Sequence, residues 1–119
     1  FVLNGLLKIG FDFVYEVSRG AELVSEATRI HMQKKTNPTP LISSACPAVT
    51  RLISVRFPDL VNNVLPINAP IEVAAMIAKQ TAAEQTGIPI EKIGAFFLSP
   101  CPAKVTSVNN PRGHGSFKY

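Results

Sequence analysis

Two stretches of this 119-residue chain share one pattern: Ser44-Ala45-Cys46-Pro47-Ala48 and Ser99-Pro100-Cys101-Pro102-Ala103. Each follows an apolar run that reads as a buried strand, Leu41-Ile-Ser-Ser44 in the first case and Ile93-Gly-Ala-Phe-Phe-Leu98 in the second. Pro47 suits the first turn of a helix, where a missing N–H costs nothing, so the first motif predicts a strand, a tight turn and a helix from Pro47 to Phe57. A chain that turns twice in this way is constrained to place both cysteines at equivalent strand ends.

The rest of the pattern extends that reading. Leu3 to Ile9 predicts a helix stopped by Gly10, and Phe11 to Val17 a short strand. Arg19 to Lys35 repeats apolar residues every three to four positions and predicts a helix. Pro38 and Pro40 enforce a loop. Asp59 to Pro66 reads as a short helix or turn. Asn68, Pro70 and Glu72 mark the start of a helix that Gly87 ends. Pro89 to Lys92 is a turn, and Val105 to Val108 an extended piece. Strands alternating with helices predict an α/β fold: a three-layer parallel sheet flanked by helices, with right-handed crossovers. Open sheets hold ligands at the carboxyl ends of their strands, so Cys46 and Cys101 are expected side by side in one hollow, with the α-helix dipole at Pro47 favouring the Cys46 thiolate.

Composition narrows the class. With 46% hydrophobic and 17% charged residues the chain is no disordered segment, and at this length it is expected to bury about 65% of its unfolded surface. The longest uncharged run, Thr36 to Thr50, holds five Ser or Thr and three Pro and is no membrane span. The net charge is +4, but its excess gathers at the end, where Lys104, Arg112 and Lys118 meet no acidic residue; a tail is a weaker nucleic-acid footprint than a basic face. Residues 112–119 read as a flexible basic tail. The start at Phe1 and the glycine-broken end are read as cuts in a longer protein. Two cysteines are too few for a disulfide-stapled secreted domain, and a reducing cytoplasm is the expected compartment.

Several chemistries could use the two thiols. Either cysteine could be a small buried hydrophobe. Zinc would need Cys46, Cys101, His31 and His114 together, at a spacing that fits no finger or ribbon. A redox disulfide requires the two turns to touch. An iron–sulfur cluster needs about four cysteines, two of them from elsewhere. Lys104, three residues past Cys101, could meet an anion at the turn. Glu22 and Glu26, at i and i+4, read as a solvated helix face before a carboxylate pair. Met32 and Met76 fall at core spacing. No phosphate loop and no serine nucleophile elbow is present.

Leu41-Ile-Ser-Ser-Ala-Cys-Pro-Ala48, Arg56-Phe-Pro-Asp-Leu60 and Phe97-Leu-Ser-Pro-Cys-Pro-Ala-Lys104 resemble the H-cluster domain of the iron-only hydrogenases, and Gly10–Glu16, Gly20–Leu23 and Glu26–Thr28 extend the likeness upstream. The resemblance covers about residues 5 to 111 and implies that residues 1–111 are one lobe of that larger domain. It implies a four-iron cubane and a diiron subsite in the full-length parent, neither held by this stretch alone. Cys46 and Cys101 match two of the four cubane cysteines. Lys104 matches the lysine that contacts a cyanide ligand, and Ser99 and Pro70 fall at positions lining the cofactor. The departures matter as much. Ala45 stands at the usual proton-relay cysteine, Arg29 at a glutamate and Leu65 at a serine of the proton route, while Glu26 keeps its acid. Ser99 replaces a methionine, Ile71 a pocket glutamine and Val49 an aromatic residue. The resemblance thus implies a hydrogenase-like protein for hydrogen oxidation, proton reduction or hydrogen sensing, closer to the sensory branch, or a cluster-free partner-binding descendant. The implied partners are the remaining lobe with the third cysteine motif, iron–sulfur electron-transfer domains or ferredoxin, and a second copy of the fragment, with no nucleic acid and no membrane.

Overall fold

The computed structural model describes residues 1–34 and 36–109. Its elements are five α-helices: α1 (Val2–Lys8), α2 (Val17–Met32), α3 (Pro47–Arg56), α4 (Pro70–Thr86) and α5 (Pro102–Asn109). Short 3-10 segments at Pro58–Asn63 and Ile90–Lys92 connect them. No helix among the described residues is long and apolar enough to cross a membrane. The basic tail expected at 112–119 lies outside the described residues.

The helix boundaries follow from local chemistry. Proline occupies the first position of α3, α4 and α5. The start of α4 is further held by Glu72, whose carboxylate accepts the Ala69 N–H at 3.0 Å, so the cap is Ala69 rather than Asn68. Gly87 closes α4 at φ 71°, a left-handed conformation that costs glycine nothing. The Val105–Val108 piece, expected to be extended, belongs to α5: Pro102 opens a helix as Pro47 does.

The expected parallel sheet is absent among the described residues, and the three-layer α/β architecture is corrected to an assembly of helices. The Phe11–Val17 and Ile93–Leu98 runs are neither helix nor strand up to the start of α2. One isolated parallel bridge joins Ile42 to Val64: the Ile42 N–H donates to Asn63 O and the Leu65 N–H to Ile42 O, each at 2.8 Å. The physical reason is that helix hydrogen bonds are local, whereas a strand exists only where a second backbone lies alongside. Apolar composition supplies the tendency and not the neighbour.

The packing is centred on α2 against α4, with α3 against the 58–63 segment and α5. Among the described residues the buried hydrophobic core is Ile53, Leu65, Ile71, Ala74 and Ala82, and no side chain is fully buried. The core expected from composition is thus shallow among the described residues. Met32 and Met76, at core spacing in the sequence, are both exposed.

Candidate functional site

Cys46 is the N-cap residue of α3 in extended conformation, φ −104° and ψ 110°, and it is exposed. Cys101 immediately precedes Pro102 at the head of α5 and is half-buried. Both thiols are free. Helices α3 and α5 pack against each other, so the structure brings together the two helices that the cysteines head, although the strand ends expected to present them are not formed.

The two turns are anchored differently despite their shared pattern. Ser99 Oγ accepts the Cys101 N–H at 3.2 Å. The corresponding Ser44 instead donates its hydroxyl to Ile67 O at 2.5 Å, tying the Cys46 turn to the loop before α4. Ser43, one residue earlier, accepts the Ala45 N–H at 3.3 Å. Proline at position 100 and alanine at position 45 separate the motifs chemically, because only Ala45 has an N–H to place.

The electrostatics favour the thiolate of Cys101. The backbone N–H of Lys104 holds its thiol below the usual thiol range, against a smaller opposing effect of burial; the Ala103 N–H and the Lys104 ammonium add to the lowering. The Lys104 N–H also donates to Cys101 O at 3.1 Å. Lys104 is in the first turn of α5, three residues past Cys101. Pro70 opens α4, and its carbonyl lies against Gly20 of α2.

Glu26, Arg29 and Leu65, which stand at positions of the proton route, and Ile71, at the pocket glutamine, fall into two settings. Arg29 grips Glu26 with two hydrogen bonds, Nη2 to Oε1 at 2.6 Å and Nε to Oε2 at 2.9 Å, on an exposed face of α2. That guanidinium holds the Glu26 carboxyl below its ordinary range. Leu65 and Ile71 are two of the five buried core residues. A buried isobutyl group can neither donate nor accept a proton. Glu26 therefore belongs to an ion pair on a solvated face.

His31 sits near the end of α2, half-buried, and its carbonyl accepts Asn37 Nδ2 at 2.7 Å. His114 lies outside the described residues. Among the described residues no group of three or more His, Cys, Asp or Glu could hold a metal ion.

Sequence reasoning missed a cavity of about 430 Å³ between α1, the 11–17 segment, α4 and the 93–98 run. Its α4 side includes Ala74, Ala78 and Ala82, a stripe at four-residue spacing, with Ile71, Ala75 and Lys79 beside it. That spacing was the available signal. Phe11 and Phe96 meet edge to face across it, ring centroids 5.8 Å apart at 70°.

Comparison with known proteins bears on the same residues. The family model described as iron only hydrogenase large subunit, C-terminal domain, matches residues 2–116. Iron hydrogenase 1 of Clostridium pasteurianum is 24% identical over 114 residues, which covers 93% of this chain and 20% of the relative. The NADP-reducing hydrogenase subunit HndD of Solidesulfovibrio fructosivorans is 30% identical over 108 residues, 83% of this chain and 18% of the relative. The chain spans about a fifth of the length of these relatives.

Proposed function

The chain belongs to the iron-only hydrogenase family, within the C-terminal domain of the large subunit, and on that footing we propose that it is the lobe supplying two of four cysteine ligands, Cys46 and Cys101, to an iron–sulfur cluster. The observation that carries the reading is the pair of cysteines placed at the heads of two proline-started helices that pack on one another. The donor set fits half a cubane: two free thiols, one exposed and one with a lowered pKa. The remaining ligands come from the rest of the large subunit. When bound, such a cluster supplies electron transfer to and from a hydrogen-reacting diiron site. The chain's own part is to hold two thiolates and to place Lys104 near the anionic ligand shell; Ser99 fixes the Cys101 turn, and Pro70 opens α4.

The reaction class is hydrogen oxidation and proton reduction, or hydrogen sensing, in a reducing cytoplasm with an iron–sulfur domain or ferredoxin as electron partner. Ala45, Leu65 and the Glu26–Arg29 pair favour the slow, sensory form, because positioned proton transfer contributes roughly 100- to 10,000-fold to rate. The same departures favour, as a second reading, a cluster-free descendant that retains only partner binding.

Anaerobic expression of the large subunit carrying this segment, with the family's maturation machinery, tests the proposal. Iron and sulfide are counted, and infrared bands of cyanide and carbonyl are sought. The first reading expects both, and loss of iron in Cys46→Ser and Cys101→Ser. A matured subunit without a cluster would select the second reading. The 119 residues alone are expected to hold no stable cluster and to show no hydrogenase activity.

A further inference from the structure

We propose that Ser44 is a positioning residue for Cys46: its hydroxyl ties the Cys46 turn to the body of the lobe through Ile67, and so sets where this ligand stands at the cluster. The inference rests on the reading of Cys46 as a cluster ligand. It adds a residue that acts through Ile67 and not by touching the cluster.

The 40–44 segment lies along the 63–67 segment. Asn63 Nδ2 donates to Pro40 O at 2.6 Å, and the Ile42 N–H donates to Asn63 O and the Leu65 N–H to Ile42 O, each at 2.8 Å. A parallel ladder would continue with the Ser44 N–H on Leu65 O and the Ile67 N–H on Ser44 O. Among the described residues neither bond forms. The Ser44 hydroxyl takes the next step of the ladder and donates to Ile67 O. Ile42 and Ser44 are half-buried, with Ser43 exposed between them, so the alternation of an extended backbone turns this hydroxyl toward the body.

Among the described residues this is the last hydrogen bond that joins the segment to another part of the chain before Cys46. Past it, the Ala45 N–H bonds within its own turn, to Ser43 Oγ, and Cys46 stands exposed at the head of α3. On the other side of the tie, Ile67 lies three residues before Pro70, where α4 starts, and α4 packs on α2 against Gly20. Ser44 therefore connects the Cys46 turn to the pair of helices on which the packing is centred. Cys101 has no such connection through its serine: Ser99 Oγ accepts the N–H of Cys101 itself, inside one turn. One ligand is framed by the lobe and the other by its own turn. Only a short side chain with a donor can make the Ser44 bond, which is why alanine loses it and threonine keeps it. Residues behind a metal ligand that orient it typically contribute about 10- to 100-fold to metal affinity.

Two measurements on the large subunit carrying this segment test the proposal: amide hydrogen exchange before maturation, and cluster retention after it. The variants are Ser44→Ala, Ser44→Thr and, as control, Ser54→Ala, whose hydroxyl donates to Thr50 O on an exposed face of α3. Before maturation, Ser44→Ala is expected to speed exchange of the Ile42 and Leu65 amides, and Ser44→Thr to restore it. After maturation, Ser44→Ala is expected to release iron to a chelator about tenfold more readily. It is also expected to shift the midpoint potential and the electron paramagnetic resonance signal of the cluster, which a hydroxyl that only stabilised the fold would leave in place. Ser44→Thr and Ser54→Ala are expected to match the parent in all of these. A parent subunit with a cluster, and a Ser44→Ala variant with the parent's iron release, potential and spectrum, overturns the proposal and leaves the cluster reading standing. Unchanged exchange at Ile42 and Leu65 in Ser44→Ala overturns it as well, and so does a loss of cluster that Ser44→Thr does not restore. A parent subunit that matures without a cluster overturns the cluster reading, and the positioning role with it.

Discussion

A Cβ built on Gly20 would stand 2.9 Å from the Cβ of Ala74 and 2.7 Å from the carbonyl oxygen of Pro70. Helix α2 crosses α4 at this point, and the crossing is possible because position 20 has no side chain. Both near atoms are fixed, one in a helix backbone and one at the first carbon of a side chain, so neither can rotate away.

Gly20→Val is therefore expected to destabilise the chain by about 1–3 kcal/mol, the usual cost of overpacking a fitted contact. Gly20→Ala gains up to ~1 kcal/mol of helix propensity and still loses on balance. Gly5, inside α1 with nothing within 4 Å of its missing Cβ, is the control. Gly5→Ala is expected to stabilise by about 0.5–1 kcal/mol. Urea denaturation followed by circular dichroism separates the three variants.

Leu65→Ser places the family's expected serine at position 65. Leu65 is 6% exposed, so the change deletes buried methyl groups and adds a hydroxyl to an apolar site. The expected loss is about 2–5 kcal/mol, and the variant's midpoint in urea should fall accordingly. A variant as stable as the parent would show that position 65 tolerates a polar group.

Glu26 titrates below the ordinary carboxylate range because Arg29 favours its ionised form. The folded pKa lies under the unfolded one. The pair's contribution is then present above the unfolded pKa, and it fades as pH falls through the folded value. Carboxyl carbon NMR is expected to give a Glu26 midpoint below that of Arg29→Gln, in which the midpoint returns toward its ordinary value. Equal midpoints would mean the two hydrogen bonds do not persist in solution.

Cys101 is expected to alkylate with iodoacetamide at a pH below the range of an ordinary thiol, measured residue by residue with mass spectrometry. The first cause is the backbone N–H of Lys104, and its ammonium contributes less. Lys104→Gln should accordingly raise the alkylation midpoint only in part. A full return to ordinary thiol behaviour would transfer the effect to the side-chain charge.

Short motifs single out Cys46, Cys101 and Lys104 in the sequence, and the structure places each at or beside the start of a helix. The anchoring of the two serines was not legible, since Ser99 accepts a hydrogen bond from its own turn and Ser44 donates one to Ile67, far along the chain. The pairing of Arg29 with Glu26 could be anticipated from their three-residue spacing once Arg29 is taken as a partner in place of a lost acid.

Some helix ends are local to the sequence. Pro47, Pro70 and Gly87 act through their own covalent geometry, over one turn, and no distant residue has to agree. Pro102 opens α5 by the same rule, against the extended reading of Val105–Val108, and the cap of α4 is Ala69 in place of Asn68. The strands are not local. The apolar runs at 11–17, 41–44 and 93–98 carry strand composition, but a ladder is made with another stretch of backbone, and only Ile42 finds one, at Val64. Whether an apolar run becomes a strand, and whether the helices headed by two cysteines 55 positions apart pack on each other, depends on contacts between residues distant in sequence, and these exist only in the folded chain.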